Sequence, residues 1–185
     1  MGASQSDKAD THAHVVAIAA RRFREEGLAR LSIADLMAEA GLTHGGFYKH
    51  FASRDALVSE AVAVALSSGS STARSADQER AYPELVKSYL SELHRDNAGA
   101  GCAVCALMND VSHAPDEARS SYTQKVRQNV ASLDAALGAS GQREKAILAL
   151  AAMVGALGIA RAVSDPSLSD EILEAVKAQL LQLTD

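Results

Sequence analysis

The sequence has little proline, few aromatic residues and no long uninterrupted apolar run. Its 185 residues contain 3 prolines, 3 phenylalanines, 4 tyrosines and no tryptophan. Alanine and leucine recur throughout, which favours helices over a turn-rich β architecture. No stretch approaches the roughly 18 to 20 consecutive apolar residues of a membrane span, and the polar start lacks the apolar segment of a secretory signal. We therefore expect an all-α protein of the cytoplasm that makes no contact with a membrane.

The motifs of common enzyme classes are absent too. The sequence has no phosphate-binding loop, no HExxH zinc motif and no Ser/His/Asp pattern. In thioredoxin-like enzymes a CxxC pair lies between a strand and a helix, and the helical pattern around Cys102 and Cys105 offers no such context. We therefore expect no catalytic residues, no cofactor and no metal.

The net charge of −5 is divided unevenly along the chain. Residues 1–54 hold seven Lys or Arg against six Asp or Glu, a net charge of +1, so the remainder carries −6. Four of the six histidines, His12, His14, His44 and His50, also lie in this first part and can become cations near phosphate. Charge read by segment therefore favours a nucleic-acid contact at the N-terminal end.

Glycines and small polar residues divide the N-terminal third into four predicted helices. The first ends at Gly27, and Ser32 is placed to cap a second, which Gly41 stops after about two turns. Thr43 can cap a third, short helix and Ser53 a fourth. Two short helices joined around a glycine and braced by a longer one are typical of a helix-turn-helix, whose second helix enters the major groove of DNA.

The residues of this motif also resemble the DNA-binding domain of TetR-family regulators. The resemblance covers roughly residues 14–62 and rests on segment 32–36, on the run 40–51 and on the pair Ser53-Arg54. Members of that family commonly have Lys where this chain has Arg54, a change that keeps the cation and offers a planar fork for phosphate. The resemblance implies a transcriptional regulator that binds double-stranded DNA.

Nine residues of the motif are predicted to contact DNA. His44, Gly45 and Gly46 are expected to face base edges, because each glycine costs roughly 1 kcal/mol of helix propensity relative to alanine and suits a close approach. The alternative is that the glycines only permit tight packing. The other six are expected to hold phosphates and set register: Thr43, Tyr48, Lys49, His50, Ser53 and Arg54.

A Ser-rich segment at residues 67–76 suggests a boundary between two domains. We expect a DNA-binding domain at residues 1–66 and a ligand-sensing and dimerisation domain at residues 67–185. Helices in the second domain are predicted to start near Pro83, Cys102, Pro115, Arg143 and Pro166, which gives about nine in the chain.

The helix from Arg143 is apolar around nearly its whole circumference, more than one intramolecular face requires. A second surface is therefore expected to be buried against a partner, with a fully buried monomer core as the alternative. The family resemblance implies a homodimer formed through the last two helices. It also implies an unidentified small-molecule inducer, bound among the middle helices, that releases a repressor from a palindromic operator.

Three interpretations of Cys102 and Cys105 remain open. Buried cysteines commonly serve only packing, and a Gly-Cys pair opening this helix is frequent in one branch of the family. A helix N-terminus lowers the pKa of a cysteine, so Cys102 is a candidate sensor thiol with Cys105 as its partner. A metal site with His94 and His113 is the third. The alternative function is a thiol redox or metal-binding helical protein built on this pair.

Overall fold

The fold is all-helical in the part of the chain that a computed structural model describes, residues 5–68, 81–138 and 142–184. Most of the predicted Ser-rich segment lies outside the described residues. The α-helices and the two 3-10 helices, η1 and η2, follow in chain order: α1 (Gln5–Glu26), α2 (Ile33–Glu39), η1 (His44–Lys49), α3 (Arg54–Ser68), α4 (Tyr82–Tyr89), α5 (Glu92–Asp96), α6 (Ala103–Ala106), α7 (Met108–Val111), α8 (Asp116–Ala136), α9 (Arg143–Ala162), α10 (Pro166–Leu181) and η2 (Gln182–Thr184).

The ends of α1 and α2 lie where glycine and serine predict them. Gly27 and Gly41 have φ of 83° and 72°, the left-handed conformation that side chains disfavour, and each follows a helix end. The Ser32 hydroxyl accepts a hydrogen bond from the Asp35 amide at 3.1 Å and so caps α2. The aromatic rings of Phe23, Phe47 and Phe51 are buried in the core of this domain. Local chemistry therefore sets these ends, and aromatic burial holds the helices together.

The predicted third helix differs from expectation in its type. It is the 3-10 helix η1, in which the Gly46 amide donates to the Thr43 carbonyl at 2.9 Å. Two adjacent glycines disfavour a regular α-helix, and the tighter three-residue turn suits so short an element. The predicted position of this helix is nevertheless kept.

Two predicted helices of the second domain are each interrupted. The helix expected from Pro83 divides into α4 and α5, because Ser91 opens a new turn by accepting a hydrogen bond from the His94 amide at 3.2 Å. The helix expected from Cys102 divides into α6 and α7 at Leu107, which is fully buried. The prediction of two continuous helices was wrong there, since the local Ser91 cap sets the first break and the second falls at a residue held in the core.

The three long helices α8, α9 and α10 form the rest of the second domain. α9 packs against α8, α10 and α6, and α3 packs against both α1 and α8, so α3 joins the N-terminal helices to the long helices that follow. Among the described helices, α9 alone is long and apolar enough to cross a membrane by length and composition. Because eight of its residues are buried within the protein, we interpret α9 as a core helix.

Candidate DNA-binding interface

One surface of η1 presents most of the residues predicted to contact DNA. Thr43, His44, Gly45 and Lys49 are exposed, and the Tyr48 side chain is 70% exposed. Phe47, on the opposite side, is buried and holds η1 to the core. The structure thus brings these residues together on one exposed turn.

The two adjacent glycines have different surroundings. A Cβ atom at Gly45 would meet no atom of the described residues within 4 Å. A Cβ at Gly46 would lie 3.6 Å from the Met37 methyl group, an ordinary van der Waals distance. Packing therefore gives no reason for glycine at Gly45, and the tight-packing alternative fails at this position.

The two predicted capping residues use their side chains differently. The Ser53 hydroxyl accepts a hydrogen bond from the Ala56 amide at 3.1 Å, so it caps α3. Thr43 has the extended backbone of an N-cap, but its side chain makes no cap hydrogen bond within the described residues. The Thr43 hydroxyl can therefore be offered to an external group, whereas Ser53 retains only its own proton for donation.

Arg54 has a structural bond that its sequence position does not reveal. Its Nη2 donates to the Leu28 carbonyl at 2.8 Å and ties the start of α3 to the chain after α1. A guanidinium carries five N–H donors, so the remaining ones can still reach a phosphate. Arg54 thus supports the domain in addition to any contact it makes with DNA.

An ion-pair network between α1 and α2 engages two more arginines of the basic N-terminal segment. Arg21 and Arg22 both pair with Glu39 of α2, and each also pairs with the glutamate four residues further along α1, Glu25 or Glu26. The hydrogen bond to Glu26 raises the pKa of Arg22. The helical spacing predicts the pairs within α1, but the sequence does not show the bridge to Glu39. These cations position α2 and are not free for phosphate.

Cys102 is closed to solvent in the second domain. It is 1% exposed, and its backbone amide donates to Nε2 of His94 at 2.9 Å. Because Nδ1 of His94 lies 2.7 Å from the Tyr89 carbonyl, Nδ1 carries the ring proton and donates there. Burial lowers the pKa of His94, which favours this neutral form. Both ring nitrogens are engaged, so His94 has none left for a metal, and His113 is exposed elsewhere.

Cys105 lies in the contact between α6 and α9. Its Sγ is 3.6 Å from the Val154 carbonyl, and a Cβ at Gly158 would lie 3.6 Å from the same sulfur. Burial raises the pKa of the Cys105 thiol to about 11, which works against a reactive thiolate. The Tyr89 hydroxyl beside these thiols is buried without a hydrogen-bond partner in the described part of the chain. The pair is thus packed, and Cys105 is the less buried member.

Two hydrogen bonds join the end of α1 to the segment that contains the cysteines. Arg24 Nε donates to the Gly99 carbonyl at 2.6 Å, just before α6. The Asp110 carboxylate, on α7, accepts from the Leu28 amide at 3.0 Å. Both ends of the α6–α7 segment are therefore bonded to the DNA-binding domain. The sequence contains no local signal for either contact, because the partners are 75 and 82 residues apart.

Comparison with known proteins agrees with this architecture. Residues 15–61 match the family model of bacterial regulatory proteins, tetR family. No curated protein sequence is significantly similar to the chain. Among solved structures, a TetR transcriptional regulator from Chloroflexus aurantiacus superposes with a TM-score of 0.74 at 19% identity, covering 96% of this chain and 98% of the other.

Two further structures are similar over nearly their whole length. The reduced form of NemR from E. coli has a TM-score of 0.70 at 21% identity, covering 94% of this chain and 96% of the other. A TetR-family regulator from Cytophaga hutchinsonii has a TM-score of 0.69 at 20% identity, with 98% of each chain covered. Residues 15–61 therefore carry the N-terminal domain of the bacterial tetR family, and the chain as a whole has the fold of these TetR-family structures.

Proposed function

We propose that the protein is a homodimeric repressor that binds a palindromic operator through η1 and leaves it when an inducer binds the second domain. The proposal rests first on the exposed surface of η1. Within the described residues Gly45 has no packing neighbour and the Thr43 hydroxyl makes no cap hydrogen bond, and Tyr48 is 70% exposed. A partner that approaches the backbone closely accounts for all three, and duplex DNA is such a partner.

Within this surface, different residues have different roles. His44, Gly45 and Gly46 occupy the first turn of η1, where a helix entering the major groove reads base edges. Phosphate contacts are assigned to Thr43, Tyr48, Lys49, His50, Ser53 and Arg54, which flank that turn. Tyr48 and Lys49 are both exposed donors of this group, and the Tyr48 ring packs edge-on against Phe47, which holds it to η1.

A second copy of the chain is proposed to cover the outer face of α9 and α10. Leu148 and Ile159 are 57% and 54% exposed, and they lie eleven residues apart, three turns along one side of α9. Gly155 lies between them with no neighbour within 4 Å of its Cβ position. On α10, Leu168 is also exposed. Large apolar side chains with a small residue between them suit close helix packing across a two-fold axis.

The inducer is proposed to act on the α6–α7 segment, because that segment is bonded to the end of α1 through Gly99 and Asp110. A ligand that shifts α6 would change the angle of α1 and separate the two η1 helices from their half-sites. Burial of Cys102 and the raised pKa of Cys105 favour a non-covalent ligand over a thiol reagent. If a thiol does respond, Cys105 is the accessible sulfur.

The test is operator binding and oligomeric state measured on the same preparation. A gel shift against palindromes in the DNA upstream of the chain's own reading frame should show one specific complex. Light scattering at micromolar concentration should give twice 19.3 kDa. A scrambled duplex of the same composition is the control. A monomer that still shifts the operator, or equal binding to both duplexes, would contradict the proposal.

A further inference from the structure

His12 of α1 lies against the end of η1 and contacts two other elements at once. Its Nε2 is 2.5 Å from Oε2 of Glu60 on α3, and its Nδ1 is 3.2 Å from the carbonyl oxygen of His50, the residue that ends η1. The imidazole stacks on the ring of Phe51, with centroids 4.5 Å apart. One side chain therefore connects α1, α3 and the C-terminal end of η1.

Both ring nitrogens of His12 face groups that only accept hydrogen bonds. A peptide carbonyl has no proton to give, and an ionised carboxylate has none either. A neutral imidazole carries one N–H and one bare nitrogen, so it can satisfy only one of the two. The imidazolium form carries N–H on both nitrogens and satisfies both acceptors together. The observed geometry is thus complete only when His12 is protonated.

The position of His12 matters because its ring holds the end of η1. The His50 carbonyl lies directly after the proposed DNA-contacting residues of η1, and the Phe51 ring below His12 stacks in turn on Phe47 at 5.3 Å. The imidazolium therefore holds the end of η1 from the side of α1, while the buried Phe47 holds η1 to the core. The side chain itself is 31% exposed and lies on α1, away from the first turn of η1.

We propose that His12 is a positioning residue for operator binding, whose protonated ring locks the end of η1 against α1 and α3. The charged groups around it are Glu60 from α3, the His50 imidazole from the end of η1 and Lys8 one turn earlier on α1. Of these, Glu60 is the one paired with the ring. A ring with one bare nitrogen keeps only one of the two hydrogen bonds and holds η1 less firmly. This inference rests on the proposed operator binding.

The experiment compares the ratio of the operator Kd at pH 8 to that at pH 6 in the parent and in variants. His12→Gln keeps a polar side chain but cannot become a cation. We expect its affinity to be about tenfold weaker than the parent at pH 6 and within about twofold at pH 8, so its ratio falls about fivefold. Glu60→Gln should lower the ratio similarly. His113→Gln, at an exposed histidine that follows α7 and lies outside the N-terminal segment, should leave the ratio unchanged.

Two further measurements separate positioning from general destabilisation. In the double variant His12→Gln/Glu60→Gln the effects should not add, because the second change removes a partner already lost. Nitrogen NMR of the labelled protein without DNA should show both His12 ring nitrogens protonated at pH 6. A parental pH ratio in His12→Gln, additive effects, or a ring with one bare nitrogen at pH 6 would each overturn the proposal. Parent protein that binds no operator at either pH would instead contradict the proposed function, and the NMR result would still decide the state of the ring.

Discussion

The first residues of η1 and of α6, two short helices, have opposite surroundings. At η1 the first residues are exposed, Gly45 has empty space where a side chain would be, and the Thr43 hydroxyl makes no cap hydrogen bond within the described residues. At α6 the capping residue Cys102 is buried and its amide is bonded to His94. Helix-terminal geometry alone therefore does not make a binding site, because the groups at a helix start must also be unsatisfied.

The comparison extends to how each region can change. The surface of η1 is free to meet a partner, since Phe47 and the His12 contact hold it from behind. The start of α6 is buried, and the α6–α7 segment is bonded to the end of α1, so in the proposed function it acts by moving together with α1. The proposed contact surface, η1, and the proposed connection to α1, the α6–α7 segment, are both built from short helices. They differ in how far they are buried.

The largest effect is expected from breaking the proposed dimer face on α9. Leu148→Arg introduces a charge where a second copy should pack, so the protein should become monomeric and lose more than about 100-fold in operator affinity. The matched control is Leu93→Arg, at a leucine that is 79% exposed and belongs to α5 instead of α9 or α10. Light scattering and a gel shift measure both variants. A dimeric Leu148→Arg protein with full affinity would show that the face is not the interface.

Substituting two glycines should separate a folding role from a binding role. Gly45→Ala meets no neighbour, so stability should be kept or rise by up to about 1 kcal/mol, while operator affinity falls roughly tenfold because close approach is lost. Gly41→Ala places a side chain at a φ of 72° and should lower stability by about 1 to 2 kcal/mol. For each variant, thermal unfolding measures the stability and operator titration measures the affinity. If Gly45→Ala and Gly41→Ala had the same stability and lost the same operator affinity, the two glycines would not have different roles.

Within η1, base readout and phosphate contact should respond differently to mutation. Tyr48→Phe removes only a hydroxyl and should weaken binding about fivefold for every operator sequence. His44→Ala should instead change which sequences are preferred in a randomised operator library. Relative affinities across the library give the readout. A uniform loss for His44→Ala, with unchanged preferences, would assign His44 to the backbone.

The smallest effects are expected at the cysteines. Cys102→Ser and Cys105→Ser should each leave operator affinity within about twofold, because Cys102 caps α6, Cys105 lies within it, and α6 packs against α9 and α1. With the pKa of Cys105 at about 11, its labelling by a thiol reagent should accelerate about tenfold per pH unit from pH 7 to pH 10. Cys102 should react only after unfolding.

Treatment with a mild oxidant or a quinone, followed by a measurement of operator release, tests directly whether the thiols of α6 stay shielded from solvent. The parent, Cys102→Ser and Cys105→Ser should all keep the operator, as expected for a non-covalent inducer. Release from the parent that Cys105→Ser abolishes would make Cys105 a sensor. Release that only Cys102→Ser abolishes would show that the buried thiol becomes accessible in solution.

Many helix ends of the DNA-binding domain could be predicted from the sequence, because they depend on residues that are close together in the chain. Gly27, Gly41, Ser32 and Ser53 end or cap helices through their own conformations and hydroxyls, so their positions follow from residue type. The family match over residues 15–61 agrees with the motif expected there. The change of η1 from an α-helix to a 3-10 helix is the exception, since propensity marks the glycines as unfavourable without specifying what replaces the α-helix.

By itself the sequence determined an all-helical chain, the order of its helices and the place of its helix-turn-helix, because periodicity, caps and breakers act over a few residues. Only the tertiary structure decided which polar groups remain free. It buried Cys102 beside His94, bonded Arg54 to Leu28, and brought His12 to the end of η1. Those outcomes depend on partners distant in the chain, and burial and hydrogen bonding between distant residues leave no periodic pattern in a single sequence.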